Sequence, residues 1–271
     1  MSAAFYPPER PLTVGEVLDL AFRIFKVTLV RGLPYGVCAM LAGQLPNIYE
    51  LGRQRVFDTG RPLALGLYGL GLVLTLVAWS ALLLRQRAMI EHRPTTVAAE
   101  LGVTLRRLPA FLVATLLFLG LVGGGFALLP LVPRAYYYWT LAPLVALGGY
   151  LSILLSCTWP AVLFNGAGPL AGLWQSVRLV HGNWWRLCTV YAVAAAVVLV
   201  IALLVGALIA IIMPALVTDV SVGTSVFSVV ANTLRAVLAP FAGALLLASC
   251  GDLRVRREGV DLQQRIADLA A

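Results

Sequence analysis

Arg235 is the residue whose place in the sequence most strongly suggests chemistry, because it interrupts an apolar region that runs from Val220 to Gly251. A charged side chain at membrane depth is costly unless it is paired, and such residues often serve substrate or ion pathways. If Arg235 is buried, we expect Glu50 or Asp219 to be its partner. The polar residues that could complete this outer cluster are Asn47, Tyr49 and Asn232. Alternatively, Arg235 lies in the first turn of a span and reaches the head groups by snorkelling.

A second candidate site consists of five arginines near the ends of the last apolar runs. They are Arg178, Arg186, Arg254, Arg256 and Arg257. Each basic residue beside an anionic membrane surface contributes about 1 kcal/mol of attraction. The group could therefore contact the phosphate of an anionic lipid. The alternative is that these arginines only fix the orientation of the chain in the membrane.

The sequence lacks the motifs of common catalytic and metal sites. It contains no H-E-x-x-H, no P-loop and no G-x-S-x-G, and its two histidines, His92 and His181, lie in different segments. The four cysteines show no C-x-x-C spacing and lie in or at the edges of apolar runs, as small buried side chains typically do. We therefore predict a protein that is not an enzyme and has no cofactor or metal. An enzyme acting on lipids would need acids beside the inner arginines, and few are present beyond Asp252 and Glu258.

The composition excludes a soluble protein. Hydrophobic residues make up 61% of the 271 residues and charged residues only 12%, whereas soluble domains carry about 25% charged residues. The net charge is +8, but the basic residues are spread between apolar runs instead of clustering on one soluble domain. We therefore expect no nucleic acid as a partner, and we expect anionic phospholipid head groups as the counter-charge.

Six apolar runs are long enough to cross a bilayer, for which a helix needs about 20 residues. The most apolar run contains no charge over its whole length. The predicted spans are Gly32–Tyr49, Leu63–Leu84, Pro109–Val132, Ala135–Phe164, Leu187–Thr218 and Asn232–Gly251. The sequence thus predicts an all-α fold, a polytopic transmembrane helical bundle in a single membrane domain over residues 1–271. We expect a flexible lead over residues 1–12, the bundle over 13–251 and a cytoplasmic tail over 252–271.

Three amphipathic helices are predicted to lie in the cytoplasmic surface of the membrane, over residues 13–26, 95–108 and 170–185. Each has apolar residues along one side and charged or polar residues opposite, as interfacial helices do. Thr13 and Glu16 have the spacing of a capping box, which predicts the start of the first helix. Each helix precedes a pair of spans, so the chain shows a threefold pseudo-repeat.

The distribution of basic residues predicts the orientation. With six spans and the N-terminus inside, fifteen lysine and arginine residues fall on inner segments and five on outer ones. Cytoplasmic loops of membrane proteins carry such an excess of positive charge. We therefore predict that both termini are cytoplasmic.

Three stretches resemble the bacterial membrane proteins that are grouped with the glycerophosphodiester phosphodiesterase membrane domain. They are PLTVGEVLDLAFRIF at residues 11–25, GPLAGLWQSVRLVHGNWW at 168–185 and DLRVRREGVD at 252–261. Proteins that look like this often carry an acidic residue where Asn165 stands and a tyrosine where Gly251 stands. The resemblance implies a multi-pass module of the bacterial inner membrane. In the fused enzymes, the phosphodiesterase chemistry belongs to a separate soluble metal-dependent domain, which we do not expect in this chain.

These observations favour a lipid-interacting scaffold or an accessory membrane subunit, with a membrane-protein partner or a second copy of the chain as further candidate partners. The alternative is a small transporter or permease component with a polar path near Arg235. A water-filled cavity that reaches the bilayer centre beside Arg235 would favour transport, whereas a solid apolar interior would favour the scaffold.

Overall fold

The chain folds as helices in the computed structural model, which describes residues 6, 8, 10–51, 62–127, 129–133, 136–216 and 220–258. Within these ranges there is no β-strand. The α-helices are α1 (Val14–Leu51), α2 (Pro62–Ile90), α3 (Val97–Ala127), α4 (Tyr137–Leu154), α5 (Thr158–Asn165), α6 (Pro169–Val180), α7 (Trp184–Leu216) and α8 (Val220–Glu258). A short 3-10 turn, Leu129–Leu131, lies between α3 and α4. The predicted all-α class is confirmed.

Six segments of the described chain are long and apolar enough to cross a membrane. They are Val14–Leu45, Leu65–Ile90, Val97–Leu131, Tyr137–Asn165, Trp184–Ile212 and Phe227–Arg257. The hydrocarbon of a bilayer offers no hydrogen-bond partners to the backbone. A helix pairs its own backbone N–H and C=O groups, so long apolar helices are suited to a bilayer. The predicted multi-pass helical bundle is therefore confirmed.

Helix α8 forms the interior of the bundle. In its most apolar window 78% of the residues are buried, whereas none is buried in the corresponding window of α7. Helices α1 and α2 pack along α8 and against each other. The interior includes large apolar side chains that are almost fully buried, among them Ile24, Leu82, Leu83, Phe111, Leu247 and Leu253. The most apolar helix of the chain, α7, thus lies at the periphery.

Helices α1 and α8 approach most closely at Gly36. A Cβ atom at residue 36 would lie 2.3 Å from the carbonyl oxygen of Ala236. Pro240, four residues further along α8, has no N–H to donate to that carbonyl. Gly32, one turn before Gly36, lies against the ring of Pro240. The two glycines therefore let the backbone of α1 approach α8 where α8 lacks a helical hydrogen bond.

Two of the three predicted surface helices continue without a break into the spans that follow them. Helix α1 covers nearly all of the first predicted surface helix and the whole first span, and α3 covers most of the second surface helix and the third span up to Ala127. The sequence between Lys26 and Arg31 contains no glycine or proline that would end α1. Only the third surface helix is separate, as α6, which is followed by a turn at Gly182 with a φ of 87°. The three units of the predicted repeat therefore differ at this junction.

The fourth predicted span consists of two helices, α4 and α5, separated by a turn at residues 155–157. The hydroxyl of Ser176 in α6 donates to the carbonyl of Leu154 at 2.8 Å and accepts from the N–H of Cys157 at 3.1 Å. The hydroxyl of Ser156 donates to a carbonyl one turn earlier at 2.8 Å. Serine side chains compete with the helix for backbone groups in this way. The turn thus depends on a serine of another helix, which hydropathy does not reveal.

Gly36→Ala should destabilise the bundle, because the new Cβ atom would lie 2.3 Å from a backbone oxygen of α8. Overpacking of this kind costs about 1–3 kcal/mol, so the thermal unfolding midpoint in detergent should fall by several degrees. Gly43→Ala is the matched control on the same helix, because nothing lies within 4 Å of a Cβ atom there. Alanine favours a helix more than glycine does. Equal losses of stability in the two variants would contradict the close contact with α8.

Candidate functional site

One end of the bundle gathers arginine and carboxylate side chains from four helices, and we call it the basic end. It comprises the residues before α1, the end of α2, the start of α3, the turn between α5 and α6, the start of α7 and the end of α8. Hydrogen bonds join these segments to one another. Its bonded arginines are Arg85, Arg87, Arg107, Arg186, Arg254, Arg256 and Arg257.

Asp252 of α8 is the centre of the first network at the basic end. Only 3% of this residue is exposed. Its carboxylate lies 3.2 Å from Nε of Arg186 in α7 and 3.1 Å from Nε of Arg256 in α8. The same carboxylate accepts the backbone N–H of Leu12 at 2.8 Å. A buried carboxylate is stable only when it is paired, and here two guanidinium groups and one amide satisfy it.

The peptide that precedes α1 is held from both sides. The carbonyl of Leu12 accepts a hydrogen bond from Nη2 of Arg256 at 2.6 Å and another from Arg186. The helix then begins with the predicted capping box, which is confirmed. The hydroxyl of Thr13 accepts from the N–H of Glu16 at 3.3 Å, and the Glu16 carboxylate accepts from the N–H of Thr13 at 2.7 Å. The start of α1 is therefore fastened to α7 and α8.

Two further arginines of α8 hold the segment that contains α6. The guanidinium of Arg254 donates to Oδ1 of Asn165 at 2.9 Å. The guanidinium of Arg257 donates to the carbonyl of His181. Asn165 precedes α6 and His181 follows it. The end of α8 therefore fastens both ends of the α6 segment.

Arg178, on α6 itself, differs from the other four arginines that were predicted to contact lipid. It is exposed, and no side chain or carbonyl of the described residues binds its guanidinium. The other four arginines each contact another segment of the protein, a role that the sequence did not indicate. The structure brings the five to the same end of the bundle, and Arg178 is the one of them without a partner among the described residues.

A second network, centred on Glu100 of α3, was not predicted as a site. Glu100 is 3% exposed. Its carboxylate accepts from the hydroxyl of Tyr35 at 2.6 Å and from that of Thr95 at 2.7 Å. Nε of Arg85 lies 3.1 Å from the same carboxylate, although the angle is not that of a hydrogen bond. In the sequence, Glu100 is the second acid after Arg85, following Glu91, and it stands in the first turn of α3.

Two cavities lie between the end of α2 and the α5 helix, where Arg87 is held by two partners. Nε of Arg87 lies 2.6 Å from the carboxylate of Glu91, and its guanidinium lies 4.5 Å from the centre of the Phe164 ring. Cavities of about 390 Å³ and about 190 Å³ adjoin these side chains. The charge of Arg87 is thus satisfied by an anion and an aromatic face.

Tyr6 closes the smaller of these cavities. Its hydroxyl donates to the carbonyl of Leu247 at 3.4 Å, and its ring occupies the space beside Gly251, where a Cβ atom would lie 2.9 Å from it. Burial raises the pKa of Tyr6 to about 12. The phenol is therefore neutral at physiological pH. The glycine at position 251 makes room for an aromatic side chain that comes from the start of the chain.

Gln86 of α2 is a buried polar residue that the sequence analysis also missed. It is fully buried, and its Nε2 donates to the carbonyl of Pro240 at 2.7 Å and to the hydroxyl of Thr28 at 3.2 Å. The three residues belong to α2, α8 and α1 respectively. Gln86 therefore links the three central helices.

Arg235 lies inside helix α8, which begins before the predicted span Asn232–Gly251, and the snorkelling hypothesis stays a prediction. Helix α8 begins at Val220, and no break separates that residue from the arginine. Helix α8 is longer than the predicted span because the polar residues between 221 and 233 are compatible with a helix, so the helix extends beyond its apolar part. The side chain of Arg235 is exposed on the surface of the bundle.

The outer polar cluster is described only in part. Oδ1 of Asn232 accepts a hydrogen bond from Nε2 of Gln44 in α1 at 2.9 Å, and Gln44 was not among the predicted residues. The side chains of Asn47, Tyr49 and Glu50 and the whole of Asp219 lie outside the described part of the chain. The structure therefore connects Asn232 to α1 through a different residue from those predicted.

Compared with protein-family models, with curated proteins and with solved structures, the chain shows no significant match. Among the residues that the structure describes, no three His, Cys, Asp or Glu side chains come together as a metal site would require. The functional interpretation therefore depends on the geometry of the basic end.

Asp252→Asn should loosen the start of α1, because it removes the charge that pairs with Arg186 and Arg256. Breaking a buried ion pair costs about 3–5 kcal/mol, and we expect about 1–3 kcal/mol because both arginines are partly exposed. The unfolding midpoint should fall, and hydrogen exchange at the Leu12 amide should become faster.

Asp19→Asn is the control for this variant, because Asp19 is an exposed acid of α1. It should change neither the unfolding midpoint nor the exchange of the Leu12 amide. If Asp252→Asn behaves in the same way as this control, the network does not hold the start of α1.

Proposed function

We propose that this chain is a multi-pass protein of the bacterial inner membrane that acts as a lipid-interacting scaffold or accessory membrane subunit and not as an enzyme. In this proposal the basic end lies on the cytoplasmic side, as do both termini, and it interacts with anionic phospholipid head groups. The observation that supports the proposal is the excess of arginine over carboxylate at the basic end.

The carboxylates of the basic end are occupied by structural partners. They include Glu91, Glu100 and Asp252, and each of these lies within 3.3 Å of an arginine. Oxygens that are held in this way are less available for acid–base or metal chemistry. This arrangement favours a role that does not include catalysis.

Arginine remains in excess after this pairing. Arg178 and Arg257 are exposed at the surface of the basic end. A guanidinium group is always charged and its planar donors match the oxygens of a phosphate. An anionic head group would supply the negative charge that the protein does not. The positive-inside rule then supports a cytoplasmic position for this end.

The family resemblance supports the same proposal. The segments that carry it include Leu12, the α6 segment and Asp252, which are the parts joined at the basic end. We propose that the chain is a membrane module of that kind, without the soluble phosphodiesterase domain.

A transporter component with a polar path near Arg235 is the alternative, and the geometry favours it less. A path would require polar groups around a cavity that reaches the bilayer centre. Arg235 is exposed on α8, and it lines neither of the cavities beside Glu91 nor a third, apolar one between α1 and α2.

Phospholipid selectivity of the reconstituted protein tests the proposed function. Trp174 and Trp185 are 71% and 78% exposed near the basic end, so they report the lipids around it. A brominated anionic phospholipid should quench tryptophan fluorescence more than a brominated zwitterionic one at the same mole fraction. Arg178→Gln should reduce this preference by up to about fivefold, because one basic residue contributes about 1 kcal/mol.

Arg178→Lys is the matched control, because it keeps the charge at the same position. It should retain the preference for anionic lipid. Equal quenching of the wild-type protein by both lipids would contradict the proposed function. An equal loss of preference in the lysine and glutamine variants would show that charge at this position is not responsible.

A further inference from the structure

A groove on the surface of the bundle lies between α1, α2 and the start of α3, away from the predicted lipid contacts on α6, α7 and α8. Its volume is about 850 Å³, within the range of about 300–1,000 Å³ that is usual for ligand sites. Most of its wall is apolar. The apolar lining includes Cys38, Leu41, Ala42, Leu45, Leu74 and Ala78.

The end of the groove nearest the basic end is positively charged. Arg31 of α1 and Arg85 of α2 both line it. Arg31 is exposed, and none of the described residues pairs with it. Arg85 is opposed by the carboxylate of Glu100 at 3.1 Å. Two guanidinium groups thus face one carboxylate, which leaves one positive charge without a partner at the mouth of the groove.

The partners of Glu100 keep this charge distribution fixed. The carboxylate already accepts hydrogen bonds from Tyr35 and Thr95, at 2.6 Å and 2.7 Å. The guanidinium of Arg85 also donates to the carbonyl of Thr95 at 3.2 Å. Glu100 is therefore engaged by Tyr35, Thr95 and Arg85 and forms no ion pair with Arg31, whose guanidinium is available to an external anion.

We propose that this groove binds one anionic phospholipid from the leaflet that the basic end faces. Its phosphate contacts Arg31, and one acyl chain lies along α1 and α2. The helix rises about 21 Å between residues 31 and 45, which exceeds the ~15 Å of hydrocarbon in one leaflet of a ~30 Å core. The groove is therefore long enough for an acyl chain. This inference rests on the proposed function and assigns it a specific site.

A second copy of the chain fits the groove less well. The most exposed apolar surface available for such a contact is that of α7, and the sequence from Leu187 to Thr218 contains no charged residue. An α7 helix in the groove would cover Arg31 without providing a counter-charge, which is costly. A phospholipid supplies both the apolar chain and the negative charge.

Native mass spectrometry of the full chain, extracted with its lipids, tests the proposal. The wild-type protein should retain one anionic phospholipid. Arg31→Ala should reduce this retention about fivefold, and Arg31→Lys should preserve it because the charge remains. Cys38→Trp should also reduce retention, because the indole would occupy the path of the acyl chain. Thermal unfolding of each variant in detergent checks that it is folded.

Arg106→Ala is the matched control, since it removes an exposed arginine of α3 that does not line the groove. If Arg31→Ala and Cys38→Trp lose no more anionic lipid than this control, the groove is not the site, although the proposed function stands. If the wild-type protein retains anionic and zwitterionic phospholipids equally, the proposed function fails as well. A dimer without bound lipid that Cys38→Trp dissociates would identify a second copy as the occupant.

Discussion

Hydrocarbon offers no hydrogen-bond partner, so every polar group inside a membrane bundle must be satisfied by the protein itself. The central helices of this chain meet part of that requirement with one another's side chains, although Oε1 of Gln86 has no hydrogen-bond partner. Gln86 of α2 donates to the carbonyl of Pro240, and Gln44 of α1 donates to Asn232. Together with the contact of Gly36 on α8, these bonds set the register of the three central helices. The remaining helices are arranged around this group.

The most apolar span of this bundle is the least buried one. The most apolar stretch of the sequence forms α7, which lies at the periphery, whereas the less apolar α8 is the most buried helix. In water an apolar face turns inward, but lipid tails are as apolar as a protein interior, and membrane helices therefore associate through small and polar residues. The sequence could predict the spans because their length and composition are local properties. The burial of the spans could not be ranked from their hydropathy. The glycines and Gln86 were the better indication of which helices pack in the interior.

Features that depend on neighbouring residues could be predicted from the sequence, and pairings between distant residues could not. The capping box at Thr13 needs only residues three apart, and the structure has it. The bond between Leu12 and Asp252 joins residues separated by 240 positions. The arginines that pair with Asp252 could not be predicted either, because in a single sequence any inner arginine could have been the partner of that acid. The extra break in the fourth span has the same cause, because it depends on Ser176. Polarity also suggested a boundary inside α1, where no helix breaker stands, and one inside α3, where the helix continues through Pro109.

The basic end shows why a count of arginines overstates the charge that is available to lipids. Asp252 engages two arginines and Glu100 a third, so part of the positive charge joins helices that are distant in the sequence. A guanidinium has five N–H donors, so an arginine that bridges two segments can still direct some of them outward, but its net field is reduced by the carboxylate beside it. Arginines that pair with no carboxylate of the described residues, such as Arg31 and Arg178, keep their charge for an outside partner. The carboxylates therefore determine which arginines have their charge balanced within the protein and which keep it for an anionic head group, and this selection follows from the fold and not from the excess of positive charge alone.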